Sequence, residues 1–250
     1  MGKINKKPIN IYWATPENID SLEDWSFLYP KPKTLFSELS EQRVDPKNTE
    51  SYFFCPSVSK KFKKTLVFKN SINSSYEYNE NMIQNISEIF LSAKIIRMPA
   101  ILSGPTIDIN LFYYLFSEEP LEISVTPPYF HEPKYMKHGS VMPGQFDIGQ
   151  WFRPITFEIQ TWKNEGEFHL IEGEPLFYLE FKTDRPIILN RFILTQRLKQ
   201  YEKANIKSKD IFGPLKPLQY RYEKFMSVGY KEKVLTEIHK NLINEEPYKF

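Results

Sequence analysis

The chain has 250 residues, of which 41% are hydrophobic and 16% aromatic, and its formal net charge is +2. This much apolar surface can form a buried core, which argues against disorder, and the small net charge argues against a protein that coats DNA. The single cysteine, Cys55, excludes an internal disulfide and favours a reducing compartment, so we expect a cytoplasmic protein.

No run of about 18 apolar residues is present, so we expect no membrane-spanning segment. The N-terminal sequence MGKINKKPIN matches neither a signal peptide nor a myristoylation signal. Proline occurs 19 times and glycine only 9 times. Because proline is excluded from helix interiors and central strands, this composition favours short strands joined by irregular connections.

Strand patterns recur along the chain, with turn signals between them. In chain order, strands are predicted over residues 9–13, 65–69, 106–116, 121–126, 155–162, 168–171, 176–182 and 187–192. The acidic turn after residue 116 predicts a hairpin with 121–126, and Asn164–Glu167 predicts a second hairpin turn. Short helices are expected over 33–41 and 195–204, and a longer one over 225–242.

This spacing of strands is typical of a sandwich or barrel. We therefore predict a mainly β (α+β) fold, a β-sandwich of jelly-roll or cupin-like type with C-terminal helices. Residues 1–195 would form the sandwich with an irregular N-terminal segment, and residues 196–250 a helical extension packed on it as a single structural unit. The pattern leaves open whether the segments before and after Gly104 share one sheet.

The central segment, residues 126–153, has the sequence TPPYFHEPKYMKHGSVMPGQFDIGQWFR. It is too rich in proline and glycine for one helix or strand, yet too apolar for a solvated linker. We predict that it crosses between the strand sets 106–126 and 155–192 and that it is used for recognition.

Ligand-binding candidates in and beside this segment combine aromatic rings with one fixed cation. They are Tyr129, Phe130, Tyr135, Trp151 and Arg153. Apolar walls with a few polar anchors are typical of a small-molecule site, and the same residue types are enriched in protein interfaces. A loop that is simply packed over the end of the sandwich is the third interpretation.

A metal site is the alternative hypothesis. Its candidate ligands are His131, His138, Glu158 and His169. Two histidines and one carboxylate can hold Fe(II) or another divalent metal with open coordination positions. The compact paired-histidine motif of such sites is absent, so the expected cofactor is none.

Other chemistry receives less support from the sequence. Cys55 is expected to behave as a small buried hydrophobe, and no G-x-S-x-G or glycine-rich phosphate-binding motif is present. Four lysines flank Phe62: Lys60, Lys61, Lys63 and Lys64. They could contact phosphate or an acidic partner, although a solvated turn is the favoured interpretation.

Two long motifs, FHEPKYMKHGSVMPGQFDIGQWFRP and EFHLIEGEPLFYLEFKTD, resemble uncharacterised proteins of marine tailed phages of the cyanophage type. The resemblance extends to WSFLYPKP and LVFKNS and so covers most of the chain. A weaker similarity, through W-F-R-P and G-E-P-L, is to bacterial proteins of unknown function. The resemblance implies a β-sandwich of jelly-roll or cupin-like type and no known activity.

These observations predict a non-catalytic binding or assembly protein of phage type, located in the host cytoplasm or the virion. Its partner would be another protein or a second copy of the chain, and neither nucleic acid nor a membrane. The alternatives are a cupin-like, metal-dependent enzyme resembling Fe(II) oxygenases, and a small-molecule binder.

Overall fold

A computed structural model describes residues 6–15, 30–41, 55–87, 92–96, 104–150, 152–206, 218–227 and 229–250. In this part of the chain the fold is mainly β, with several sheets. The strands are β1 (Ile9–Ala14), β2 (Lys33–Thr34), β3 (Thr65–Lys69), β4 (Ser74–Tyr78), β5 (Ile83–Asn85), β6 (Ala93–Ile96), β7 (Thr106–Ser117), β8 (Glu122–Thr126), β9 (Gly139–Val141), β10 (Gly144–Asp147), β11 (Pro154–Thr161), β12 (Gly166–Leu170), β13 (Pro175–Phe181), β14 (Ile187–Arg191) and β15 (Tyr248–Lys249). The helices are α1 (Leu35–Glu41), α2 (Pro56–Lys63), α3 (Gln196–Ile206), α4 (Leu218–Ser227) and α5 (Tyr230–Lys240), with a 3-10 helix at Lys134–Lys137.

Three sheets contain these strands. The first has the order β15-β14-β1-β7-β11-β9, with β6 paired to β7 beside β1. The second has the order β10-β8-β13-β3-β2, and the third is β12-β4-β5. Neighbouring strands are antiparallel except β1 and β14, which run parallel with Ile9 opposite Ile187. Strands from before Gly104 therefore belong to all three sheets, which answers the question that the sequence left open.

The largest hydrophobic cluster takes side chains from both large sheets. On β7 the inward residues are Ile107, Ile109, Leu111, Tyr113 and Leu115, and strand β13 contributes Phe177, Leu179 and Phe181. The period-2 alternation of a strand sends the intervening residues to the opposite face of each sheet. Both sheets thus direct one face into a shared core.

The outer face of each large sheet is covered by helices. Tyr114 and Phe116 of β7 pack with Leu198, Phe225 and Ile238 of helices α3, α4 and α5. On the second sheet, Val67 and Tyr178 pack with Leu35 and Leu39 of α1 and Phe62 of α2. No described helix is both long and apolar enough to cross a membrane.

The predicted hairpins are wrong. Strand β7 belongs to the first sheet and β8 to the second, so the turn after Ser117 carries the chain from one sheet to the other. Strands β11 and β12 likewise lie in different sheets. Local alternation indicates that a strand exists, but it does not specify its hydrogen-bonded neighbour.

The C-terminal region follows the predicted pattern with two differences. The helix predicted over 225–242 is two helices, because Gly229 adopts the left-handed conformation with φ 69° between α4 and α5. The chain then returns to the first sheet, where β15 pairs with β14. The domain boundary predicted at residue 195 stays a prediction.

The central segment joins the two large sheets. Its strand β9 forms the edge of the first sheet beside β11, and its strand β10 forms the edge of the second sheet beside β8. The 3-10 helix precedes both of these strands in the segment, and it inserts Tyr135 into the shared core.

Close approach of β9 to β11 depends on Gly139. A Cβ there would lie 2.7 Å from Ile159 Cγ2 and closer still to the carbonyl oxygen of Gln160, whereas a Cβ at Gly144 would meet nothing within 4 Å.

We therefore expect Gly139→Ala to lower the free energy of unfolding by about 1–3 kcal/mol, because the added methyl group must displace backbone. The matched variant Gly144→Ala should change it by less than about 1 kcal/mol. Urea unfolding followed by tryptophan fluorescence measures both, and equal effects of the two substitutions would contradict the packing of β9.

Candidate functional site

The candidate site lies on the outer face of the second sheet, where β13 carries Tyr178 and Glu180. These residues alternate with the core residues Phe177 and Leu179, so their side chains point away from the core. Tyr178 pairs in register with Val67 of β3. Helices α1 and α2 cover only part of this face, and the loop after β8 covers the next part.

That loop places Tyr129 and Phe130 on the sheet, and we call these two residues the aromatic ledge. The Tyr129 ring meets the Tyr178 ring edge-on, with centroids 5.0 Å apart, and the Phe130 ring meets Phe62 of α2 in the same manner at 4.9 Å. Even so, Tyr129 is 47% and Phe130 40% exposed. Two adjacent rings are therefore held in a fixed orientation while much of their surface contacts water.

A turn next to the ledge fixes the residue that follows it, His131. Its amide donates to the carbonyl oxygen of Pro128 at 2.8 Å, and its Nδ1 is hydrogen-bonded to the Tyr178 hydroxyl. Its Nε2 is buried and has no hydrogen-bond partner in the described part of the chain. Burial lowers the pKa of His131 below its usual value of 6.5, since the charged ring is separated from water.

An ion pair lies under the same loop. Lys69 Nζ of β3 donates to Glu38 Oε1 of α1 at 2.5 Å, and the Glu38 side chain is buried. The two charges act on His131 in opposite directions, Glu38 raising and Lys69 lowering its pKa, and both effects are smaller than that of burial. This pair joins α1 to the sheet and does not reverse the neutral state of the imidazole.

Beside the ledge an open cleft of about 460 Å³ lies between α2 and the end of β13. We call it the lysine cleft, and its charged lining consists of Lys60, Lys61, Lys64, Glu180, Lys182 and Asp184. The ledge adjoins it, because the Lys61 ammonium lies 5.7 Å from the centroid of the Tyr129 ring.

Ion pairs connect most of these charges. Lys60 lies 2.6 Å from Asp184, and Glu180 is 2.9 Å from Lys182 and 3.6 Å from Lys61. The pairing with Lys60 lowers the pKa of the Asp184 carboxyl. Both carboxylates are therefore occupied by lysines in this arrangement.

Lys64 is bound differently from the other three lysines. Its ammonium donates to the main-chain oxygens of Arg185 at 2.7 Å and Phe250 at 3.1 Å, and burial lowers its pKa. In the described part of the chain no Asp or Glu side chain lies within ion-pair distance of it.

The remaining ligand-binding candidates do not join the ledge. Tyr135 is buried in the core and donates its hydroxyl to the carbonyl oxygen of Leu176, and burial raises the pKa of that hydroxyl. Arg153 follows Phe152, which packs against Tyr114 and Phe116 on the outer face of the first sheet, on the other side of the core. Trp151 lies outside the described residues.

The metal-ligand candidates occupy separate positions. His131 is bonded to Tyr178, and Glu158 accepts from Thr156 Oγ1 at 3.1 Å on β11. His169 of β12 is hydrogen-bonded to Ser75 at 2.8 Å and lies near enough to His138 to lower its pKa, after the larger effect of burial. Within the described ranges, no three His, Cys, Asp or Glu side chains are grouped so that they could hold a metal ion.

The sequence contained signals for residues of β13 that were not singled out and for a common face of the lysines near Phe62. In LFYLEFK, Tyr178, Glu180 and Lys182 alternate with apolar residues, which marks one mixed polar face of β13. Lys60, Lys61 and Lys64 are spaced so that a helix places them on one face, whereas a turn does not. Contact of these lysines with phosphate or an acidic partner was the second interpretation, behind a solvated turn, so their common helical face was not predicted.

No protein-family model, curated protein or solved structure matches the chain. The geometry of the site is therefore the basis for any assignment of function.

The lowered pKa of His131 predicts a loss of stability in acid. Below pH 6.5 the unfolded chain takes up a proton before the folded protein does, so the contribution of the neutral ring is present above that pH and is lost as the pH falls through the lower, folded pKa.

As the pH is lowered from about 7.5 to about 5.5, we expect the free energy of unfolding of the wild type to decrease more than that of His131→Gln. Urea unfolding at both pH values measures it. Tyr178→Phe is the control, since it removes the hydrogen bond to His131 but leaves the His131 ring buried. The free energy of unfolding of this variant should still decrease in acid. Parallel pH profiles of wild type and His131→Gln would contradict the burial of a neutral imidazole.

Proposed function

We propose that the protein is a non-catalytic binding or assembly protein and that the aromatic ledge is its recognition surface. The observation that carries this proposal is the fixed, exposed pair of rings, Tyr129 at 47% and Phe130 at 40% exposure, each packed edge-on against a buried ring. Most rings of this size in the described chain are buried in one of the core clusters.

Rigid aromatic side chains are suited to recognition for an energetic reason. Ordering a flexible side chain on binding costs about 0.5–1.5 kcal/mol, and the contacts to Tyr178 and Phe62 have already restricted these two rings. Aromatic residues are also enriched among the few residues that dominate binding energy at interfaces.

The fold that we propose for this function is a β-sandwich. Its support is the cluster in which inward residues of both large sheets meet. The parallel pair of β1 and β14 departs from the all-antiparallel pairing of a jelly roll, so the jelly-roll or cupin-like type has less support than the sandwich itself.

The setting that we propose is a phage particle or the cytoplasm of its host, with a protein or a second copy of the chain as partner. Its support is the resemblance of the two long motifs to proteins of marine tailed phages. A metal-dependent enzyme is not proposed, because the described residues contain no group of three His, Cys, Asp or Glu side chains that could hold a metal ion.

The double variant Tyr129→Ser/Phe130→Ser tests the ledge. We expect it to weaken partner binding or self-association by about thirtyfold or more, which is the effect of losing a dominant interface residue. Light scattering after size-exclusion chromatography measures self-association, and affinity purification from infected cells followed by titration of the purified partner measures binding to another protein.

Trp162→Ser is the matched control, because Trp162 is 50% exposed, lies on the connection between β11 and β12, and donates its indole N–H to the carbonyl oxygen of Met136, which is not part of the ledge. It should bind as the wild type does. A monomeric wild type without a partner, or equal binding by the double variant and the wild type, would refute the proposal.

A further inference from the structure

Lys64 provides an unusual donor in the lysine cleft. A lysine ammonium has three N–H donors, and two of those of Lys64 bind the main-chain oxygens of Arg185 and Phe250. Among the described residues the third has no acceptor, and Lys64 lines the cleft, so a ligand there can accept a hydrogen bond from it. Since its charge is half-buried and no Asp or Glu side chain of the described residues lies within ion-pair distance of it, an anion entering the cleft would meet a charge that water screens less than it screens an exposed lysine.

The charge of the lining indicates what kind of anion fits. Of the described side chains that line the cleft, four are lysines and two are carboxylates, so two positive charges are unmatched. A phosphate monoester carries between about −1.5 and −2 charges at pH 7 and presents three acceptor oxygens. One such group would neutralise the lining and could accept from several ammonium groups at once.

The size of the cleft limits the ligand. Its volume of about 460 Å³ lies within the range of small-molecule sites, about 300–1,000 Å³. A long polyanion such as a nucleic acid needs basic surface well beyond one cleft, and the net charge of +2 does not indicate such a surface.

We propose that the lysine cleft binds the phosphate group of a small phosphorylated compound of nucleotide size, with Lys64 and Lys182 among the groups that hold it. The proposal deepens the proposed function and rests on it, because it gives the binding protein a ligand class at a site that adjoins the aromatic ledge.

Isothermal titration calorimetry at constant ionic strength tests this with three probes. AMP and ribose 5-phosphate both carry the phosphate monoester, and adenosine lacks it. We expect both phosphorylated probes to bind with dissociation constants below about 1 mM. Adenosine should bind at least about tenfold more weakly than AMP, since it cannot form the charge-assisted hydrogen bonds to the lysines.

Substitutions locate the site. Lys64→Met and Lys182→Ala should each weaken AMP binding about tenfold. Two variants are needed because Lys64 also binds main-chain oxygens, and its loss could impair folding, whereas Lys182 is more exposed. Lys63→Ala is the matched control: it removes a lysine charge at the position next to Lys64, but Lys63 lies over the Phe36 ring at 4.8 Å and does not line the cleft.

Three outcomes would overturn the inference: no binding of either phosphorylated probe at about 1 mM, equal binding of adenosine and AMP, or an equal loss of AMP binding in Lys63→Ala and Lys182→Ala.

A failure of the proposed function can be distinguished from a failure of the cleft by measuring partner binding and phosphate binding separately. The variant Tyr129→Ser/Phe130→Ser keeps every cleft lysine, so unchanged partner binding in that variant refutes the ledge, whereas lost phosphate binding with intact partner binding refutes only the cleft.

Discussion

Toward its C-terminal end β7 is apolar on both faces, and the protein has to bury both. Leu115 points into the core between the large sheets, while its neighbour Phe116 points outward and is also fully buried. Burying a side chain of this size stabilises the fold by about 1.5–3 kcal/mol, so neither face can be left open to water without a substantial loss. Helices α3, α4 and α5 therefore cover the outer face, and the C-terminal region is part of the packing of the first sheet.

The second sheet has the same constraint in a weaker form. Tyr178 and Val67 make part of its outer face apolar, and α1, α2 and the aromatic ledge cover them. Farther along β13 the outward residue is Glu180, which requires no apolar cover and instead pairs with lysines. The cover ends where the sheet becomes polar, and the lysine cleft lies at that boundary.

Sequence patterns predicted the strands better than their partners. Alternation depends on neighbours along one strand, so β8, β11 and β13 were identified close to their observed bounds. Pairing depends on residues far apart in sequence, such as Ile9 with Ile187, and no local signal specifies such a pair. The hairpin predictions failed for this reason, since a short turn can equally carry the chain from one sheet to the next.

For the candidate site, the sequence likewise predicted the local segment but not which of its side chains lie together. The loop that carries Tyr129 and Phe130 was correctly identified as irregular and apolar, but the grouping with Tyr135 and Arg153 required a fold in which all of them lie on one side. The 3-10 helix sends Tyr135 into the core, and Arg153 lies on the far side of the first sheet. Side chains close in sequence are separated here because the central segment spans both sheets.

The ion pairs of the lysine cleft lie near the protein surface. Its paired lysines are between 37% and 64% exposed, and ion pairs at such exposure contribute little to stability. An incoming anion can therefore replace Asp184 or Glu180 as the partner of a lysine without a large loss to the fold. The pairs instead keep several long, flexible side chains close to the cleft and limit their repulsion. Lys64 is fixed by main-chain oxygens, so the position of its ammonium does not depend on those exchangeable pairs.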